Sequence, residues 1–279
     1  VPTSSLPGDN FIQKSPQEDV LNQAMSDFNK ADSLLPKRLG NNMSDHDVRG
    51  RGSKWAAKAF KARIHLWREN WAAAYSECDA IVKSDQFKMS ERWITIFDGE
   101  NDDPEVIWQA QGQSREEYDF IGVYRWYCDA DAKQALPPFM VEKKLTSAFK
   151  SPYKDVRLEY SVRAIGKSGT PSNYGGRNVK HFKVPSGEII QGVSDESRDK
   201  NTPLMRLAEV KLMIAEAIIQ SNYTLGNKED VLSILNELRA RAADPTFDPR
   251  EEDKRYDYVS DKGCEGVDPL TIDQINLQS

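Results

Sequence analysis

Cysteine and histidine are scarce, and their scarcity limits the kinds of site the chain can build. The 279 residues include three cysteines and three histidines. Cys78, Cys128 and Cys264 lack the close spacing of zinc ligands, and an odd number cannot all pair within one chain. The histidines stand far apart and form no HExxH pattern. No metal site is therefore predicted from them, and Cys78, on an apolar helix face, is interpreted as a small core residue.

Long apolar runs and an excess of basic charge are also missing. No stretch comes near the roughly 20 consecutive apolar residues of a membrane-spanning helix. Residues 1–10 show neither the basic nor the apolar region of a signal peptide, so we expect the sequence to begin inside a longer precursor. The net charge of −6, without a basic stripe, argues against nucleic acid as the main partner. A hydrophobic content of 38% is enough for a sizeable core.

Motifs of catalysis are absent as well. The sequence has no GxxxxGK[ST] loop, no strand-linked GxGxxG and no GxSxG nucleophile elbow. Carboxylates are plentiful, but their spacing singles out no acid–base pair of the kind that glycosidases use. The acids of residues 98–103 offer oxygen ligands for calcium, yet their spacing does not match an EF-hand. A solvated acidic turn is the favoured interpretation, so we predict no catalytic residue, no metal site and no cofactor.

The clearest element is a pair of antiparallel helices at residues 53–84. Ser53 is a good N-cap, since its hydroxyl can accept a hydrogen bond from a free N–H of the first turn. Apolar residues then recur at helical spacing on both helices, and residues 68–70 form the turn between them. Ala62 and Ala74 allow the two backbones to approach closely. The first helix carries Trp55, Ala56, Ala59, Phe60, Ala62, Ile64, Leu66 and Trp67 on its apolar face. This pattern is typical of a tetratricopeptide (TPR) hairpin.

Other patterns predict the elements around this hairpin. Ser15 as N-cap with Pro16 at the first position opens a helix whose apolar stripe includes Val20 and Leu34, and which ends before Pro36. Further predictions are a short helix or turn at 90–97 with Trp93 and Phe97 buried, a strand at 105–110, a short helix at 141–149, a flexible loop at 166–178, and helices at 203–221 and 227–242. Arg206 and Glu209, three residues apart, are expected to pair along one helix, and Arg239 and Arg241 to tie helices together through acids.

Residues 112–202 differ in character, being rich in Gly, Ser, Tyr and Asp, and they contain the candidate binding site. Aromatic side chains cluster in residues 118–131 beside acids and one arginine. Flat aromatic faces suit the C–H patches of sugars, and Asp or Arg suits their hydroxyls. The predicted ligand-binding residues are Tyr124, Arg125, Trp126, Tyr127 and Asp129, with Asn173 and Tyr174 as weaker candidates. The alternative is that Phe120, Tyr124 and Trp126 alternate along a strand and pack inward.

Three motifs resemble those of one known family. The first is Arg51-Gly52-Ser53-Lys54 followed by an alanine-rich helix. The second is the run from Met205 to Ala217, MRLAEVKLMIAEA, and the third is the run from Leu235 to Ala242, LNELRARA. Together they resemble the SusD/RagB family, whose members are lipid-anchored nutrient-binding proteins on the outer membrane of Bacteroidetes.

The resemblance implies a fold and a function. The implied fold is mostly α, with a TPR-like helical-hairpin scaffold at about 15–110 and 203–242 and a loop-rich ligand-side segment at about 112–202. All belong to a single SusD-like domain, 1–279, that is incomplete at both ends. The implied function is non-catalytic capture of oligosaccharide at the cell surface and its delivery to a SusC-like TonB-dependent transporter. The lipid would be carried by an N-terminal cysteine outside this sequence.

Two other functions remain open from the sequence. A TPR-type scaffold would bind a protein or peptide and no sugar. A glycoside-processing enzyme would need two essential carboxylates, and the absence of any catalytic pattern makes it the least favoured. A signature of this kind identifies a fold and leaves the ligand undetermined.

Overall fold

A computed structural model describes residues 14–37, 49–91, 93–97, 103–110 and 201–242, together with Arg157 and the backbone of three short strands. The described helices are α1 (Gln17–Leu34), α2 (Lys54–Trp67), α3 (Trp71–Val82), α4 (Leu207–Gln220) and α5 (Lys228–Ala242), with a 3₁₀ turn at Ile94–Phe97. The described strands are β1 (Val106–Ala110), β2 (Val141–Glu142), β3 (Val162–Arg163), β4 (Tyr174–Asn178) and β5 (Thr202–Arg206). The prediction of a mostly helical fold is confirmed.

The first helix begins and packs differently from its prediction. Pro16 is the N-cap, with ψ of 142°, and no side chain bonds to the free N–H groups there, so the predicted cap at Ser15 is wrong. The Ser15 hydroxyl lies one position too early in the chain to cap this helix. Val20 and Leu34 are exposed, and α1 has no fully buried residue. The apolar stripe is narrower than predicted because α2 is the main neighbour of α1, and Phe28 stacks on Phe60 at 5.5 Å.

The central hairpin confirms most of its prediction. The Ser53 hydroxyl accepts a hydrogen bond from the Ala56 N–H at 3.2 Å, and Asn70 caps α3 in the same way by accepting from Ala73. Ala62 and Ala74 are fully buried, so the small side chains do allow close packing. Trp67 was predicted on the apolar face, but its side chain is 73% exposed. As the last residue of α2, it lies where the helix ends and the turn begins.

Helices α3 and α4 form the centre of the scaffold. The main packing partners of α3 are α2 on one side and α4 on the other, and α4 also packs against α5. Val210, Met213, Ala217 and Ile218 of α4 are buried, as expected for a helix that is apolar around most of its circumference. At the start of α5, Asn227 and Asp230 bond reciprocally, each side chain accepting from the other's N–H at 2.8 to 2.9 Å.

Residues 202–206 form a strand, although the sequence predicts that the helix begins at Pro203. β5 pairs antiparallel with β1, with Val106 opposite Arg206 and Ala110 opposite Thr202. Arg206 is extended, and the Leu207 N–H donates to the Glu105 carbonyl at 2.9 Å. Since the backbone there is engaged by β1, the helix cannot begin before Leu207. We call this strand pair the β1/β5 ribbon.

Two further predictions for the middle of the chain are wrong where the structure describes it. Val141–Glu142 is a strand and does not open a helix, and Tyr174–Asn178 is a strand within the predicted flexible loop. These strands pair in the order β2-β4-β3, and the pairings are antiparallel. Cross-strand partners at a distance in the sequence decide both cases. Within the described ranges, no helix combines the length and the hydropathy needed to cross a membrane.

Candidate functional site

The β1/β5 ribbon is the point where the segment with the predicted binding residues joins the scaffold. Residues 111–201 follow Ala110 of β1 and precede Thr202 of β5, and these two residues are cross-strand partners. The segment therefore leaves and re-enters at one end of a short ribbon. The predicted residues Tyr124, Arg125, Trp126, Tyr127 and Asp129 lie outside the described residues, as does Asn173, and only the backbone of Tyr174 is described. Their roles stay predictions.

At the other end of the ribbon, Glu105 is a fully buried carboxylate. Its Oε1 accepts a hydrogen bond from Arg206 at 3.1 Å, and its Oε2 accepts from the guanidinium of Arg241 and from the Ser90 N–H, the latter at 3.2 Å. A carboxylate is taken out of water only at high cost unless charges and donors surround it, as they do here. Glu105 was predicted only as the first residue of a strand. The signal that could have revealed its role is an acid placed directly before an apolar run.

Of the acids interpreted as a solvated turn at residues 98–103, Asp103 is the one within the described residues, and there the interpretation is wrong. Asp103 is 5% exposed. Its carboxylate accepts from the Ser90 hydroxyl at 2.6 and 2.8 Å and from the Glu105 N–H at 2.9 Å. This acid shapes the turn before β1, because its bonds fix the backbone at the following residues. Within the described part of the chain, no group of three or more possible ligands is positioned to hold a metal ion.

The two arginines that hold Glu105 come from separate elements. Arg206 ends β5 and Arg241 lies in the last turn of α5. Arg206 was predicted to pair with Glu209, but its carboxylate partner is Glu105, and Glu209 accepts instead from Arg63 of α2 at 3.0 Å. The extended backbone at Arg206 removes the helical spacing on which the predicted pair depended. Arg241 does bond an acid, but that acid precedes strand β1, so Arg241 ties α5 to the ribbon and not, as predicted, to another helix.

The side chains around Glu105 include both acids and bases. Burial lowers the pKa of Arg241 to about 10, and the nearby Asp103 opposes that change. Burial likewise lowers the pKa of Arg206, opposed by Glu209 and Asp103. Asp103, Glu105, Arg206 and Arg241 are two acidic and two basic side chains, which we call the ionic quartet.

The second edge of β1 is covered by Arg49, which lies in the chain shortly before α2. The guanidinium of Arg49 donates to the carbonyl of Val106, and the carbonyl of Arg49 accepts from the Gln109 N–H at 2.9 Å. Arg49 itself is 2% exposed. Strand β1 is thus held by β5 on one edge and by Arg49 on the other. The quartet and Arg49 together fix the ribbon to the helices, and the ribbon in turn holds the two ends of the segment.

The protein is of the helical-scaffold class: paired helices carry a two-stranded ribbon, and a long segment joins the scaffold at that ribbon. Sequence comparison identifies the family. The profile of the SusD family (SusD_RagB) matches residues 126–268, just over half of the chain. The chain belongs to the SusD family, and the predicted family is confirmed.

Two curated relatives come from Formosa agariphila. SusD-like protein P38 is 24% identical over 269 residues, covering 81% of this chain and 48% of the relative. SusD-like protein P25 is 27% identical over 98 residues, covering 35% of this chain and 18% of the relative. The chain spans half or less of the length of these relatives.

Solved structures share the fold. A SusD superfamily protein from Bacteroides thetaiotaomicron superposes with a TM-score of 0.64 at 19% identity, covering 80% of this chain and 47% of that one. A laminarin binding SusD-like protein gives 0.61 at 18% identity, with coverage of 82% and 54%. Surface glycan-binding protein A from Bacteroides uniformis gives 0.61 at 15% identity, with coverage of 94% and 53%. At these identities the likeness establishes the fold.

Proposed function

We propose that the protein binds oligosaccharide or polysaccharide nutrients without chemically changing them. The observation that carries the proposal is the match of the SusD family to residues 126–268, a range that contains Trp126, Tyr127 and Asp129. Structural neighbours described as laminarin binding and as a surface glycan-binding protein support glycan as the class of ligand. Membership of a family of binding proteins favours capture over catalysis.

The site we propose is the aromatic cluster at Tyr124, Trp126 and Tyr127, with Arg125 and Asp129 beside it. Sugar rings would stack on the aromatic faces, and the two charged side chains would bond the hydroxyls. The rigid helices and the anchored ribbon support this role. A segment held in place before binding loses less conformational entropy when the ligand arrives.

The captured glycan would then pass to a SusC-like TonB-dependent transporter. In this proposal the protein lies on the outer face of the outer membrane, held by an N-terminal lipid beyond this sequence. The support is the family assignment. A direct test is co-purification of the full-length protein with a SusC-like transporter, and recovery of the protein with surface-labelled outer membranes.

Isothermal titration against a panel of polysaccharides and oligosaccharides tests the binding proposal, with each mixture assayed for released sugar. Trp126→Ala and Tyr127→Ala would be compared with the wild type. Trp67→Ala is the matched control, because Trp67 is an exposed tryptophan on the scaffold. We expect binding without released sugar, lost in the two site variants and kept in the control, while circular dichroism shows an intact fold.

Other outcomes would contradict this proposal. Released sugar would identify an enzyme, and loss of fold in the site variants would place the aromatics in the core. Absence of binding to the whole panel would favour the second candidate, a TPR-type scaffold for a protein or peptide. The exposed side chains of Trp67 and Val20 on neighbouring helices are the observation that favours that candidate.

A further inference from the structure

We propose that Glu105 is a positioning residue: the ionic quartet sets the register of the β1/β5 ribbon and thereby the place from which the binding segment leaves the scaffold. The inference rests on the proposed function for its effect on glycan. It rests on the described residues alone for its effect on the ribbon. The quartet lies at the Val106 and Arg206 end of the ribbon, and the segment leaves from the Ala110 and Thr202 end.

The ribbon needs a register anchor because it consists of only two strands of five residues each. Pairing shifts between Val106 and Trp108 and again between Trp108 and Gln109. A two-stranded ribbon is weakly stable by itself, and a slip of one residue moves every side chain to the opposite face. Two strands of five residues offer few pairings that would hold one register against its neighbours. The contact between Glu105 and Arg206 discriminates well, since a slipped Arg206 would leave a fully buried carboxylate without one of its two cations.

Three further contacts tie the same acid to the rest of the scaffold. Arg241, at the end of α5, and the Ser90 N–H, in the chain that follows α3, both donate to the Glu105 carboxylate. The Leu207 N–H donates to the backbone carbonyl of Glu105. The start of β1 is therefore fixed to α5, to the chain after α3 and to the first residue of α4. A buried ion pair of this kind contributes little net stability compared with apolar packing, and its better-supported role is to specify one arrangement.

The register of the ribbon should affect glycan binding through the fraction of molecules that are competent to bind. Each strand of the ribbon has five residues. A slip of one residue at the quartet would shift the far end of the strand by roughly 3.3 Å. A ligand sees only the fraction of molecules in the competent register, and its apparent affinity falls by that fraction. Weakening the quartet should therefore lower glycan affinity even where the helices stay folded.

The test compares Glu105→Gln and Arg241→Lys with a control of equal burial. Glu105→Gln removes the central charge at nearly constant shape, and Arg241→Lys keeps the charge but loses the planar fork. Lys61→Met is the control, because Lys61 is a 6% exposed ion-pair residue between α1 and α3 that does not touch the ribbon. Amide hydrogen exchange would be followed separately in the two strands and in α2 and α3, and glycan affinity would be titrated for each variant.

We expect both quartet variants to exchange the amides of Val106–Ala110, of Thr202 and of residues 204–206 about tenfold faster while α2 and α3 keep their protection. Glycan affinity should fall by about tenfold in step with that change. Lys61→Met should leave the affinity as in the wild type and should speed exchange in the ribbon no more than in α2 and α3. Equal loosening of ribbon and helices in the quartet variants, or unchanged affinity beside a loosened ribbon, would overturn the inference. If the wild type binds no sugar, the proposed function fails, and the exchange data alone still decide the register assignment.

Discussion

Lys61 of α2 places its Nζ 2.6 Å from the carboxylate of Glu77 on α3, although Lys61 is only 6% exposed. The same ammonium lies 2.8 Å from Asp32 of α1. One lysine thus links three helices of the scaffold. Lys58 lies about one turn earlier, and its Nζ is 3.2 Å from Asp32 and 2.8 Å from Glu77.

Replacing Lys61 with methionine should destabilise the scaffold by about 2 kcal/mol, less than the loss of a buried pair usually costs, because Lys58 still partners both acids. Chemical denaturation monitored by circular dichroism measures this change. Lys83→Met is the matched control, since Lys83 is an exposed lysine paired with Asp79 along one helix. The control should leave the free energy of unfolding unchanged, and an equal loss in both variants would contradict the prediction.

Acidification should destabilise the protein through Asp32. Burial alone would raise the pKa of Asp32, but hydrogen bonds from Lys61 and Lys58 and their positive charges outweigh it and hold the pKa below 3.8. Because the folded pKa is lowered, the group contributes stability above pH 3.8, and that stability is lost as the pH falls towards the folded-state pKa. We expect the urea midpoint to fall in this window, and to fall less in Asp32→Asn. An identical acid response of the two proteins would rule out Asp32 as a source.

Cys78 should resist thiol reagents in the folded protein. Its side chain is fully buried, and burial, reinforced by Glu77 and Glu209, raises the pKa of the thiol to about 12. The reactive thiolate is therefore scarce at neutral pH, and the reagent has no access. Alkylation at pH 8 followed by peptide mapping should leave the Cys78 peptide unmodified until guanidinium is added. Rapid modification without denaturant would show that α3 is not packed as described.

Truncation to alanine should lower the free energy of unfolding strongly at one tryptophan and hardly at all at another. Trp93 is 5% exposed and packs on Phe97 with ring centroids 4.7 Å apart, so Trp93→Ala should cost about 3–5 kcal/mol. Trp67 is 73% exposed, so Trp67→Ala should change stability by less than about 0.5 kcal/mol. Denaturation followed by circular dichroism compares them directly. Similar losses at both positions would mean that Trp67 is covered in solution.

The anchor of the candidate site escaped prediction because its partners are distant in the chain. Glu105 is 101 residues from Arg206 and 136 from Arg241. No periodic pattern connects residues at such separations, so the sequence predicts only a strand terminus at Glu105 and a solvated acid at Asp103. The ligand side chains Tyr124, Arg125, Trp126, Tyr127 and Asp129 rest on the composition of their segment and remain predictions.

The sequence by itself determined the helical hairpin, its Ser53 cap and the close approach at Ala62 and Ala74, because these depend on residues within a few turns of one another. It also determined the family, through runs of neighbouring residues. Only the tertiary structure decided that Thr202–Arg206 is a strand, that Arg206 pairs with Glu105, and that Trp67 faces solvent. The physical reason is that strand pairing, charge burial and exposure depend on which distant segment arrives as a neighbour.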